Sequence, residues 1–408
     1  MRIKYLILAL LAVLTQGCDT ESNVEPRFEE YFIKYYGEQG SQEGIDVEVL
    51  ADGGFILLGN STANGNNKQI FLVRTDVLGN EIWSNTFGGP EDDVASDFAI
   101  DASENIVIGA TIKEANGAFT DAMIYRIDPS GNKIDSAVYG TPNTNEQINS
   151  LMITDAGDIV IVGSTTNVDI LKPGYNSTSD LHDIYSVKVN SNLVPVPDNE
   201  WTQIYGFPGD DYGQQIVEKP DGTFLFFGTS NRPSSNPQQA GFNMFLFPTD
   251  AQGSATSSIP LQLYGTLNNE MASQMSRTSN GGYVMIGTTN GSDGNDIFMA
   301  RIRSNNDFLS ATTLNADGNV TGTSIIESIT GGFLVLGIIE EGGKGDIFLA
   351  RTSSGNDWKR RFGGIDNDKA SKVIQLDDGS IVMVGTIELE SQTKMSLIKT
   401  NSKGLLIP

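Results

Sequence analysis

The sequence predicts an all-β chain folded as a seven-bladed β-propeller with four antiparallel strands per blade, and three observations lead there. A phrase of turn, apolar run and glycine recurs seven times; each repeat has room for four short strands; and the chain opens with a strand that has no blade of its own, while its last blade lacks one. Four-stranded sheets repeated radially are propeller architecture.

The phrase spans Asp52–Gly59, Ser103–Gly109, Gly157–Gly163, Asp221–Gly228, Gly281–Gly287, Gly331–Gly337 and Asp378–Gly385. Its closing glycines lie 50, 54, 65, 59, 50 and 48 residues apart. A second apolar run follows each phrase, as in Gln69–Asp76, Asp121–Asp128, Asp296–Arg301, Asp346–Arg351 and Lys394–Lys399. Next come a turn such as Leu78–Asn80 and an aromatic-rich strand ending in glycine: Trp83–Gly88, Ala137–Gly140, Trp201–Gly206, Leu261–Gly265 and Trp358–Gly363. A fourth segment, such as Val94–Ile100 or Lys372–Leu376, leads into the next turn. The two middle strands are apolar at consecutive positions, which requires both sheet faces to be covered. A ring in which every blade lies between two others meets that requirement; an open stack leaves two bare faces.

The ends of the chain test closure independently. Glu30–Gly37 reads as an aromatic fourth strand with no predecessors, and after three strands in the last repeat only Leu405–Pro408 remain. Pairing the N-terminal strand with the C-terminal blade completes the ring and removes free edges.

The stretches Thr86–Ala95, Ile106–Thr111 and Asp121–Asn132 resemble the SBBP-type β-propeller repeat of secreted and surface bacterial proteins. The resemblance extends over nearly all of residues 30–404, with the fifth blade departing at Phe308–Asn315, which lacks the aromatic and the Gly-Gly ending. It implies a propeller used as a binding scaffold; fold alone names no ligand.

Ahead of the repeats, residues 1–17 read as an export signal: basic Arg2 and Lys4, apolar Leu6–Leu14, then Thr15-Gln16-Gly17 before Cys18. Nine apolar residues are too few to span a bilayer, which takes about 20. Cys18 is the sole cysteine, so intrachain disulfides are excluded, and its setting resembles the lipobox of bacterial lipoproteins, with Thr15 at a position usually apolar. That resemblance implies acylation of Cys18 and a lipid anchor in the outer membrane or at the cell surface. Residues 18–29 form an acidic tether and residues 30–408 the propeller.

With the signal removed, the mature chain keeps 24 of 26 basic residues against 51 acidic ones, a net charge of −27. Nucleic acid is excluded as a partner, because Lys and Arg contacts to phosphate supply most of that affinity. Glycans, proteins and cations fit such a surface.

In a propeller, the loops joining the second and third strands and those joining successive blades share one face, here called upper. The blade-to-blade loops carry a recurrent acidic or amide motif that includes Asp92, Asp93, Asp210, Asp211, Asp366 and Asp368. One reading is a ligand-binding ring of carboxylates, able to take Ca2+, since hard cations prefer oxygen ligands. The other, favoured by recurrence in almost every blade, is that each acid holds its own loop through backbone N–H groups. The longest upper connections follow Gly163 and Gly228, and the first contains Tyr175 and the only histidine, His182; long loops on rigid scaffolds are where ligands bind. One histidine and one cysteine give no support to a His-based metal centre or a Ser/His/Asp triad, and no catalytic residue or resident cofactor is expected.

The sequence thus predicts a lipid-anchored envelope protein that binds a glycan or protein through blades 3 and 4 without catalysis. Two alternatives stand beside it: glycan cleavage by acidic residues at the central channel, which leaves no linear signature, and an accessory subunit of an outer-membrane uptake or secretion complex.

Overall fold

Because the turns fall every few residues and the strands are short, the chain can only meander, and in a computed structural model the described residues form 28 strands that pair into seven four-stranded antiparallel sheets. The structure describes residues 30–407 except 63–66, 115–116, 169–175, 177–180, 195–200, 234–235, 237–240, 256–260, 293, 317, 354–356 and 391. Blade 1 consists of Gln42–Val49, Phe55–Ser61, Gln69–Thr75 and Glu81–Phe87 in spatial order, and blades 2 to 6 repeat the plan. The first strand of every blade touches the first strands of the blades on either side, and this cycle closes on itself around the axis. The chain is a seven-bladed β-propeller.

Blade 7 is made from both ends of the chain. Lys369–Gln375, Ile381–Leu389 and Gln392–Thr400 supply its inner strands, and Phe32–Tyr36 pairs antiparallel with the last of them, Phe32 opposite Lys399 and Tyr36 opposite Met395. The pairing is the one expected, although the strand starts at Phe32 rather than Glu30. Likewise, the outer strand of blade 2 runs Lys133–Tyr139, longer than the aromatic segment alone suggested, because its exposed first half pairs back across the hairpin with Ile127.

The middle strands are buried along most of their length, as consecutive apolar residues require. Their side chains gather into seven clusters, each shared by two adjacent blades. Leu58, Ile70 and Leu72 of blade 1 meet Phe98, Ile106 and Ile108 of blade 2. The closing interface sets Val382, Val384 and Leu397 of blade 7 against Val47, Leu57 and Val73 of blade 1. An open row of seven blades has six interfaces; the seventh exists because the row is closed. Each fully buried Leu, Ile or Phe contributes about 1.5–3 kcal/mol of transfer free energy.

Every innermost strand carries a β-bulge next to the residue that faces the glycine closing the repeated phrase. In blade 3, Ile148 faces Gly163 and Ser150 faces Val162, with Asn149 left over. The backbone comes so close here that a side chain at Gly163 would strike the carbonyl of Gln147, and one at Gly228 that of Tyr212. In six of the seven blades the recurrent glycine is therefore a space requirement beside a bulge, where strands bend and twist more strongly, whereas at Gly109 of blade 2 the nearest atom is a Leu151 side-chain carbon at 3.3 Å.

On the outside, aromatic side chains of one blade cover a turn of the next. The hydroxyls of Tyr36, Tyr139 and Tyr205 donate to the carbonyls of Gly79 (2.7 Å), Leu193 (2.7 Å) and Gly253 (2.5 Å). Blade 5, which departs from the repeat at Phe308–Leu314, leaves that strand exposed along nearly its whole length.

Candidate functional site

Three groups of polar residues compete for a functional role: the loop carboxylates, a belt around the axis, and an aromatic row on the upper face.

Three of the loop carboxylates bind their own loops. Asp93, Asp211 and Asp368 each accept the backbone N–H four residues earlier, from Gly89 (2.5 Å), Phe207 (2.7 Å) and Gly364 (2.7 Å). Asp368 also accepts the Glu388 N–H at 2.8 Å. Glu146 and Glu270 do the same work in blades 3 and 5 with help from threonine hydroxyls. Burial pushes the pKa of Asp93 and of Asp368 up, against the pull of those N–H groups. Asp92 accepts the Lys68 N–H at 2.7 Å, and Asp366 sits 3.3 Å from the Lys344 ammonium. These residues lie on the connections of different blades. Among the described residues no group of three or more His, Cys, Asp or Glu is arranged to hold a metal.

Around the axis, the residue after each bulge is polar: Asp46, Asp97, Ser150, Gln215, Gln274, Ser324 and Lys372. Each tends to accept the backbone N–H that follows its counterpart in the next blade. Asp97 takes Leu151 (2.9 Å), Gln215 takes Met275 (2.7 Å), Gln274 takes Ile325 (2.6 Å) and Ser324 takes Val373 (3.1 Å). A lysine has no lone pair to offer, so the pattern changes where the ring closes. Lys372 instead pairs with Asp46 at 3.1 Å, and Asp46 and Asp97 each turn one oxygen to the N–H of the residue that follows them, Val47 and Phe98. Burial, then the charge of Asp46, pushes Asp97 up to about 8 in spite of Lys372. Burial by itself would lower the pKa of Lys372, but Asp46 and Asp97 outweigh it and raise it.

None of this belt was singled out from the sequence. Its signal is present in the small-residue, any-residue, polar triplets Gly44-Ile-Asp46, Ala95-Ser-Asp97, Gly213-Gln-Gln215, Ala272-Ser-Gln274, Gly322-Thr-Ser324 and Ala370-Ser-Lys372, which only a blade-by-blade superposition of the innermost strands would bring out.

On the upper face of blades 3 and 4, Asp210 fastens the two long connections together. One of its oxygens accepts the N–H groups of Leu181 (2.7 Å) and His182 (3.0 Å), and its own N–H donates to the Asn231 side chain at 2.6 Å. The His182 ring lies 4.9 Å from that of Tyr212, with Nδ1 3.0 Å from the phenol oxygen and 3.5 Å from Asp210. Burial, then Asp210 and Asp211, raises the Tyr212 pKa. Phe242 continues the row 6.4 Å beyond Tyr212, and Arg232 lies 5.8 Å over the ring of Phe207 close by. Leu181, Tyr212, Phe242 and Arg232 all keep exposed surface. The structure thus brings His182, Asp210 and Asp211 together, and adds Tyr212 and Phe242, which the sequence did not single out. Tyr175 and Cys18 lie outside the described residues.

No protein family and no curated protein matches this chain. Solved structures do. The polysaccharide lyase Uly1 is similar over 94% of each chain at 12% identity, with a TM-score of 0.52. Puromycin hydrolase is similar over 88% of this chain at 11% identity and a TM-score of 0.52, and the chain spans about half of that enzyme's length, 52%. A protein of unknown function from Dyadobacter fermentans matches 90% of this chain and 97% of its own at 12% identity, with a TM-score of 0.47. At these identities the property shared with the two structures of TM-score 0.52 is the fold alone.

Proposed function

We propose that the protein is a non-catalytic binding module of the bacterial cell envelope, built of SBBP-type repeats, anchored by acyl chains on Cys18, and meeting a glycan or protein with the upper face of blades 3 and 4. The observation that carries this reading is the row His182–Tyr212–Phe242, with Arg232 against Phe207, on the face where the two longest connections are fastened by Asp210. Half-exposed rings on a rigid scaffold offer apolar area at little cost in conformational entropy, with polar atoms beside them to set orientation. The loop carboxylates support the same reading, because the backbone N–H groups they accept keep the face in shape.

A second reading, glycan cleavage at the channel, is favoured by one observation: Asp97, which burial holds protonated up to about 8, stands beside Asp46. An acid and a carboxylate in proximity are the groups that glycoside cleavage uses.

The two are separated by one set of measurements. Envelope polysaccharides and peptide libraries are tested for retention by the mature protein and by Tyr212→Ala and Phe242→Ala, while reducing ends are assayed in the supernatant. Retention without product, weakened tenfold or more by either substitution, supports the binding module. Product release that is lost in Asp97→Asn and kept in Tyr212→Ala replaces it with the enzyme.

A further inference from the structure

On the lower face a cavity of about 700 Å3 opens between the turns of blades 1 and 2 and the end of the innermost strand of blade 3. That volume is in the range of sites for small organic molecules. Leu50, Ile56, Ala99, Ile100, Ile106 and Ile153 give it an apolar wall. The cation in its lining, Arg74, is already engaged, paired with Asp52 at 2.5 Å and donating to the Thr75 carbonyl.

What distinguishes the cavity is Glu48. It stands two residues beyond the belt residue of blade 1, where the other six blades carry Ala99, Met152, Val217, Ser276, Ile326 and Ile374. Its carboxylate accepts no hydrogen bond from a described residue. Lys372, the cation whose charge acts on it, is held by Asp46 at 3.1 Å. Burial, and then the negative charge of Asp46, raises the Glu48 pKa against the opposing effect of Lys372. Glu104 adds another carboxylate at the rim, on a turn that holds it at φ 63°.

We infer that this lower-face cavity is a binding site for a small organic cation, an ammonium group set against Glu48 with its apolar body against Ile100, Ile106 and Ile153. A neutral apolar guest would leave the half-buried carboxylate desolvated and unpaired, and an anionic one would meet Glu48 and Glu104 with like charge. The site lies on the face opposite the His182–Tyr212 row and stands independently of what that row binds.

The full mature chain is titrated by calorimetry and ligand-observed NMR at pH 7.5 with phenethylammonium and with its neutral analogue 2-phenylethanol. The expected result is saturable 1:1 binding of the cation, at least tenfold tighter than the alcohol, with the preference abolished in Glu48→Gln and unchanged in Glu341→Gln, which alters an exposed carboxylate of blade 6. Ala99→Phe, which fills the cavity and leaves Glu48 in place, is expected to block the cation as well. Equal affinities for the two probes, a preference that survives in Glu48→Gln, or no saturable binding of the cation overturns the assignment.

Discussion

Replacing Asp97 by asparagine isolates the effect of one buried proton on the whole ring. In the unfolded chain an aspartate ionises near 3.9, whereas in the fold Asp97 keeps its proton up to about 8. Between those values the folded state binds one more proton than the unfolded state, so the Asp97 contribution to stability declines as pH rises, by up to about 1.4 kcal/mol per unit. From pH 5 to pH 8 the decline reaches about 4 kcal/mol. An unfolding entropy of about 2.1 cal/mol/K per residue over Tyr31–Pro408 turns this into about 5 °C of melting temperature. The substituted side chain carries an amide that donates to Asp46 at every pH, so the variant lacks this decline. Differential scanning calorimetry at constant ionic strength should therefore show the melting temperature of Asp97→Asn gaining on the wild type by about 5 °C between pH 5 and pH 8. Lys372 does not confuse the result: its folded pKa is raised, so its contribution is intact below the unfolded value near 10.4 and fades only above it. Two parallel curves, offset by a constant, would refute the protonated Asp97.

Three further outcomes follow from the same contacts. Lys372→Met leaves Asp46 without its cation and should cost about 3 kcal/mol in chemical denaturation, with the double variant Asp46→Asn/Lys372→Met recovering much of it; a double variant no more stable than the single one counts against the pair. Tyr36→Phe strips the Gly79 carbonyl of its donor across the closing interface and should cost about 1–2 kcal/mol, measured the same way. Asp368→Ala frees the N–H groups of Gly364 and Glu388 and should cost about 2–3 kcal/mol, while the melting temperature of the unaltered protein should be the same in Ca2+ and in chelator, because both carboxylate oxygens already accept those N–H groups.

Much of the architecture can be read along the chain. The seven phrases fix seven blades, since each apolar pair of middle strands needs cover on both faces and only a neighbouring blade supplies it. The displaced strand Phe32–Tyr36 fixes how the ring closes, because a missing strand at one end and a surplus one at the other have a single complementary solution. That His182, Asp210 and Asp211 belong to connections on one face is legible too, since strand order alone assigns a loop to a face. The belt and the aromatic row were not legible in this way. Asp46, Asp97 and Lys372 come together although Lys372 is more than 300 residues from Asp46 in the chain, and Tyr212 reaches His182 and Phe242 only because Asp210 ties two separate connections to one another.

The sequence by itself determined the number of blades, the strands in each and the joining of the two ends, since all of these are properties of periodicity and count. Only the tertiary structure decided where the charges went. Closing the ring puts a lysine in place of a hydrogen-bond acceptor at the last position of the belt, and the two aspartates beyond it must share that lysine and a proton in a space with little water. Burial and distance between side chains from different blades set the outcome, and no one-dimensional pattern encodes them.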